Sequence, residues 1–156
     1  MAREVTFTSK VAWTGNTGEG TASAKSYRRD LEISPDGKPP IPGTTAPAFG
    51  GDPARYDPED LLVAAVASCH MLWYLHLASV AGVVVTSYSD NPTGRLELVK
   101  GGAGQFTEIV LKPRVAITAA SDAEKARALH AEAHAMCFIA RSINFPVHCE
   151  PLIVND

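Results

Sequence analysis

Cysteine is scarce in this chain. Three occur in 156 residues, an odd number that argues against a disulfide framework, and no two form a short Cys-x-x-Cys pair. No basic-plus-apolar leader precedes the first strand pattern, so a secretory route is not expected. Free thiols then suit a reducing, cytoplasmic setting, where a thiol pair is catalytic or metal-binding rather than structural. Long apolar runs are missing too. The stretch Leu61 to Val66 is short and is followed by His70 and His76, which does not describe a membrane span. No basic run is present. Lys and Arg number 14 against 17 Asp and Glu, a formal net charge of -3. Nucleic acid and anionic membrane surfaces are therefore not expected as partners. There is no Gly-x-Ser-x-Gly, Gly-x-Gly-x-x-Gly or P-loop, and hence no motif for a hydrolase, a dinucleotide or a nucleoside triphosphate.

What is present fits one domain, residues 1–156, long enough to bury a core. Val5, Phe7, Val11 and Trp13 follow a strand period, with a slip at Ser9. Gly15-Asn16-Thr17-Gly18 predicts a turn, and Thr21 to Ile33 is a second, more polar strand candidate with a break near Arg28-Arg29-Asp30. Ser34 to Asp57, rich in Pro and Gly, predicts a long loop of the kind that is functional or disordered. Asp57 before Pro58 predicts a helix N-terminus, with Glu59 and Asp60 complementing the helix dipole. That helix is expected to reach Ala81, with Gly82 closing it. Leu62, Ala65, Cys69, Leu72 and His76 share one face, and the opposite face is also apolar, so burial on all sides is expected. Strands follow from Val83, over Arg95 to Val99, and over Phe106 to Thr118 with Pro113 at a bulge or edge. Ser121 or Asp122 caps a second helix expected to reach about Ser142. Val147 to Val154 predicts a final strand. The order β-β-α-β-β-β-α-β is α+β.

The chemistry-bearing residues admit more than one role. Cys69 and Cys137, each placed within a helix, are a candidate redox pair, although a buried helical cysteine also serves as a small hydrophobe. A reactive thiolate needs a nearby cation, and Arg28, Arg29 and Arg55 are the candidates. His130, His134 and Cys137 fall at i, i+4 and i+7, a spacing that can hold a metal with Cys69 as a fourth ligand. Glu59 and Cys69 are separated by about 15 Å of helical rise. If both serve one site, a second chain must supply one of them. Cys149 reads as structural. His70 points about 100° away from Cys69 on the helix, toward a partner or the long loop.

Asp57-Pro58-Glu59-Asp60-Leu61-Leu62 followed by Ala67-Ser68-Cys69-His70 resembles a signature of the OsmC/Ohr family of organic hydroperoxide resistance proteins and osmotically induced peroxidases. Cys137-Phe138-Ile139-Ala140-Arg141-Ser142 matches the position of that family's second cysteine. Tyr27-Arg28-Arg29-Asp30 and the loop from Pro47 to Pro53 are similar to one OsmC-like subgroup. The chain departs from the best-studied members at Asp57 (usually Asn), Phe138 (usually Pro) and His70 (usually an apolar aromatic). It thus resembles a less characterised branch.

The resemblance implies an α+β fold in an intertwined homodimer, with two long buried helices packed against antiparallel sheets and active sites at the dimer interface. It implies a thiol-dependent peroxidase in which Cys69 attacks an organic hydroperoxide and Cys137 resolves the product. Glu59 and an upstream arginine hold the thiolate, and Arg29, which precedes an aspartate, is the best match for that arginine. A dithiol reductant would reset the pair, and no metal, haem or flavin is required. Leu72 and Trp73 would favour a greasy peroxide. The rival expectations are a metal-binding protein using His130, His134 and Cys137, and a non-catalytic module binding an apolar ligand.

Overall fold

The N-terminal alternation resolves into a strand shorter than its period suggests. In a computed structural model of the chain, which describes residues 3–156, β1 is Lys10–Trp13, β2 is Leu31–Ser34 and β3 is Ile41–Gly43. They form an antiparallel meander, with Val11 opposite Ile33 and Trp13 opposite Leu31. Most of the strand expected over Thr21 to Ile33 is instead turn. Ser26 folds the segment back: its Oγ accepts from Ser23 N–H and donates to the Gly20 carbonyl, both at 3.0 Å, and such side-chain bonds compete with a ladder. Gly15 permits a close crossing, since a Cβ there would lie 1.8 Å from the Arg28 carbonyl oxygen. The segment expected as a bare loop holds β3 and a 3-10 turn at Pro47–Phe49. β3 tolerates Pro42 because it is an edge strand. These elements lie in one compact unit, Met1–Leu61.

Helix α1 spans Pro58–Ala81, as its end signals predict. Asp57 Oδ1 accepts from the Asp60 N–H at 2.8 Å. Gly82 leaves the helix at φ +74°, and Lys125 Nζ donates to the exposed Ala81 carbonyl at 2.6 Å. The apolar stretch runs well past Val66, so by length and composition alone α1 is able to cross a membrane. Here it buries one stripe, Val66, His70, Tyr74 and Ala78, spaced by one helical turn.

The second unit, Leu62–Asp156, adds β4 (Val85–Asp90), β5 (Thr93–Leu98), β6 (Gly104–Leu111), β7 (Pro113–Ile117), α2 (Ala123–Met136), β8 (Val147–Cys149) and β9 (Leu152–Asn155). The fold class is α+β. Two three-stranded sheets form, ordered β4-β7-β9 and β5-β6-β8. Both are mixed rather than purely antiparallel, because β9 runs parallel to β7 and β8 parallel to β6. The expected strand over Phe106 to Thr118 divides before Pro113, and that over Val147 to Val154 divides at Glu150-Pro151. Each proline lacks the N–H that would continue its ladder, so each strand ends there and its continuation enters the other sheet. Tyr74 and Ala78 of α1 meet Ala126, Leu129 and Ala133 of α2 over Val115 and Ile117. Val66 packs on Ile109 and Leu111 of the other sheet.

Helix α2 is capped by Asp122, whose Oδ1 accepts from Glu124 and Lys125 N–H at 2.9 and 3.0 Å. Ser121 instead accepts from Val84 N–H. The helix stops at Met136, six residues short of the expected end, and a separate 3-10 turn covers Ala140–Ser142. Arg141 Nη1 donates to the Ala135 carbonyl at 3.2 Å, satisfying an end the helix leaves open.

Candidate active site

The early end of α2 makes Cys137 its C-terminal cap rather than a mid-helix residue. The backbone turns there, buries the thiol completely and sets it beside Cys69 in the middle of α1. Phe138, the next residue, lines one groove with Cys69, and the Cys137 thiol pKa is pushed up first by burial and then by the neighbouring Cys69 thiol. A hydrogen bond from Ala140 N–H to Cys137 Sγ at 3.4 Å opposes these effects. Cys69, Cys137 and Cys149 are all free thiols.

Cys69 is half-buried and opens onto a groove of about 390 Å³ lined also by Leu72, Trp73, His76 and Phe138. Trp73 meets Phe138 edge-on at 5.5 Å and His76 at 5.9 Å. The helix face carrying Cys69, Leu72 and His76 is thus a groove wall, while the adjoining stripe of Val66 and Tyr74 is the core. Leu72 is 63% exposed and Phe138 66%. The burial of α1 on all sides that its composition predicts is not met within one chain.

Arg29 and Glu59 belong to the unit Met1–Leu61. Arg28 Nε pairs with Asp30 at 3.2 Å, and Arg55 Nε pairs with Asp52 at 3.7 Å. Arg29 forms no salt bridge among the described residues and lays its guanidinium 5.5 Å from the Tyr27 ring centre. Asp30 therefore serves Arg28, not Arg29. Glu59 Oε2 is buried with no hydrogen-bond partner among the described residues, an arrangement that calls for a donor from elsewhere.

A third group was not legible in the sequence as a site. His70 faces neither a partner nor the long loop. It is 1% exposed, and its Nε2 lies 3.0 Å from Nδ1 of His130, itself 4% exposed. The two rings lie edge to edge within 6° of parallel, their centres 5.3 Å apart, and Tyr74 stacks on His130 at 4.0 Å. Cys149 Sγ stands 3.8 Å from His70 Nε2 and 3.7 Å from His130 Nδ1. Burial lowers the pKa of His70 to about 4 and of His130 to about 3, and it pushes the Cys149 thiol up to about 12. The metal trio expected from spacing is thus corrected. His130 joins His70 and Cys149, while Cys137 has left the helical face it would share with His134. Stripe position was the available signal: His70 falls in register with Val66 and Tyr74, and His130 lies one turn beyond Ala126.

Known structures share this architecture. An OsmC-like protein of unknown function from Vibrio cholerae is 31% identical, with a TM-score of 0.85, over 96% of this chain and 100% of that one. An organic hydroperoxide resistance protein OsmC from Legionella pneumophila is 19% identical, with a TM-score of 0.69 over 97% and 98% of the two chains. An organic hydroperoxide resistance protein from Elizabethkingia anophelis is 14% identical, with a TM-score of 0.71 over the whole of both chains. No curated protein matches the chain. The family profile described as OsmC-like protein covers residues 50–151, the stretch that carries both the Cys69 and the Cys137 motifs, and this chain belongs to that family.

Proposed function

We propose that this OsmC-like chain is a thiol-dependent peroxidase that reduces organic hydroperoxides to alcohols. The observation that carries the reading is a pair of free thiols at one groove: Cys69 is half-open to an apolar groove that Phe138 also lines, and Cys137, the residue before Phe138, is wholly buried. Family members of known structure named as organic hydroperoxide resistance proteins support it.

In the proposed mechanism the Cys69 thiolate attacks the terminal oxygen of the hydroperoxide. The O–O bond breaks, the departing alkoxide takes a proton and leaves as alcohol, and Cys69 becomes a sulfenic acid. The peroxide is reduced by two electrons and the sulfur is oxidised by two. Cys137 then attacks the Cys69 sulfur. Its raised pKa keeps the proton on sulfur until that moment, so hydroxide leaves as water while the disulfide forms. An external dithiol returns two electrons and two protons by exchange.

Arg29 is the cation assigned to the thiolate, oriented by Glu59. A second copy of the chain supplies this pair, since about 15 Å of helical rise separates Glu59 from Cys69. The exposed apolar face of α1 supports such a homodimer. The groove walls, Leu72, Trp73 and Phe138, suit a hydrocarbon substituent on the peroxide. The whole chain acts as one functional domain in this reading, in the cytoplasm.

The test is a thiol titration read by mass spectrometry. Reduced protein is treated with stoichiometric cumene hydroperoxide without air, then digested. The expected product is a cross-linked peptide joining Cys69 to Cys137. In turnover assays Cys69→Ser is expected to be inactive, and Cys137→Ser to consume one peroxide per site and then stall. Intact thiols after peroxide treatment would replace this reading with a module that binds an apolar ligand.

A further inference from the structure

We propose that His70 Nε2, His130 Nδ1 and Cys149 Sγ form a binding site for a zinc-class transition-metal ion, separate from the Cys69–Cys137 pair. The three donors come from three elements, α1, α2 and β8, that meet in the core of the second unit. They converge on one point: their separations are 3.0, 3.7 and 3.8 Å. A position equidistant from all three lies about 2 Å from each, close to zinc–nitrogen bonds of about 2.0–2.1 Å and zinc–sulfur bonds of about 2.3 Å. The edges of that triangle also match those of a tetrahedron built from such bonds, leaving one coordination position open.

Two imidazoles and a thiolate are the donor set that borderline-soft ions favour. Charge favours the same ion. Asp90 acts on Cys149 through its charge, and its Oδ2 is buried with no hydrogen-bond partner among the described residues. A Cys149 thiolate and the Asp90 carboxylate together balance a dication in a place where an isolated charge is costly. A purely structural hydrogen-bonded trio is the rival account: the 3.0 Å contact between the two rings suits a hydrogen bond, whereas the contacts from sulfur at 3.7 and 3.8 Å are long for one. The half-buried Cys149 provides the way in from solvent.

The chain contains three cysteines, which makes the site testable without disturbing it. In the full-length Cys69→Ser/Cys137→Ser protein, Cys149 is the sole thiol. After chelator treatment and desalting, this protein should take up one equivalent of cobalt(II) and show a thiolate-to-cobalt charge-transfer band. Zinc(II) should abolish the band by displacement, and zinc should raise the thermal midpoint. Adding Cys149→Ser should remove the band and the zinc-dependent shift, and His130→Gln should do the same. Should the double variant bind no stoichiometric cobalt, or show cobalt without the charge-transfer band, the proposal is wrong. Metal uptake by wild type that disappears in the double variant would assign the ion to Cys69 and Cys137 and overturn it equally. None of these readouts depends on peroxidase activity.

Discussion

Three arginines were candidates for supporting the Cys69 thiolate, and their ion pairs separate them. Arg28 and Arg55 are engaged by Asp30 and Asp52, whereas Arg29 keeps a half-buried guanidinium without a carboxylate partner among the described residues. A hydrogen bond to a charged group contributes about 1.5–3 kcal/mol, roughly 10–100-fold in rate. Arg29→Ala is therefore expected to slow peroxide reduction by that factor, and Arg28→Ala by less than about threefold, in stopped-flow oxidation of Cys69. Equal losses in both variants would remove the assignment. Cys137 makes a pH prediction at the same scale. Its pKa in the fold lies above the ordinary value of 9.0, so at alkaline pH the native state holds a proton that the unfolded chain has released. The resulting stability is complete below pH 9 and is lost as pH rises through the folded value. Tyr74 and Cys149, both pushed up to about 12 by burial, act in the same direction. The thermal midpoint of the reduced protein should fall above pH 9, and less steeply in Cys137→Ala. A slope that this substitution leaves unchanged would show that Cys137 is not the group responsible.

At the scale of elements, the ends of the helices do most of the positioning. Asp57 and Gly82 place α1 so that Cys69 falls at mid-helix, and Asp122 starts α2 so that its last turn delivers Cys137. Asp122→Ala removes the acceptor for two backbone N–H groups. It should cost about 1 kcal/mol of stability, seen as a lower urea midpoint with an unchanged slope. A loss below about 0.3 kcal/mol would mean that the α2 end is held by packing alone. The two prolines act in a comparable way. Pro113 and Pro151 end β6 and β8 and send the chain into the other sheet, which places Cys149 at the last position of β8, next to His70 and His130.

At the scale of the whole molecule, α1 carries more apolar surface than one chain covers. Val80 is 75% exposed and Leu72 63%, and neither lies in the buried stripe. Exposed apolar surface of this kind marks an interaction site, and the proposed homodimer would cover it. Sedimentation of the wild type is expected to give two copies per particle at micromolar concentration. A buried charge without a partner is costly, so Val80→Asp should shift the particle toward one copy and reduce peroxidase turnover with it. A wild type that sediments as a single copy while remaining fully active would rule out a site completed by a second chain.

The parts of this protein set by local chemistry were legible in its sequence. A capping aspartate before a proline marks α1, a glycine ends it, and two cysteines within helix-forming motifs mark the proposed redox pair. Caps and turns depend on neighbours a few residues away, so one dimension is enough to read them. The sequence did not show where α2 stops, which arginine lacks a carboxylate, or how the strands divide between two mixed sheets. His70 read as facing a partner or the long loop and Cys149 as structural, because their partners lie 60 and 79 residues apart along the chain. Only packing of α1, α2 and β8 brings those donors to one point, and it does so because each occupies a buried position set by helix and strand periods that meet in the folded core.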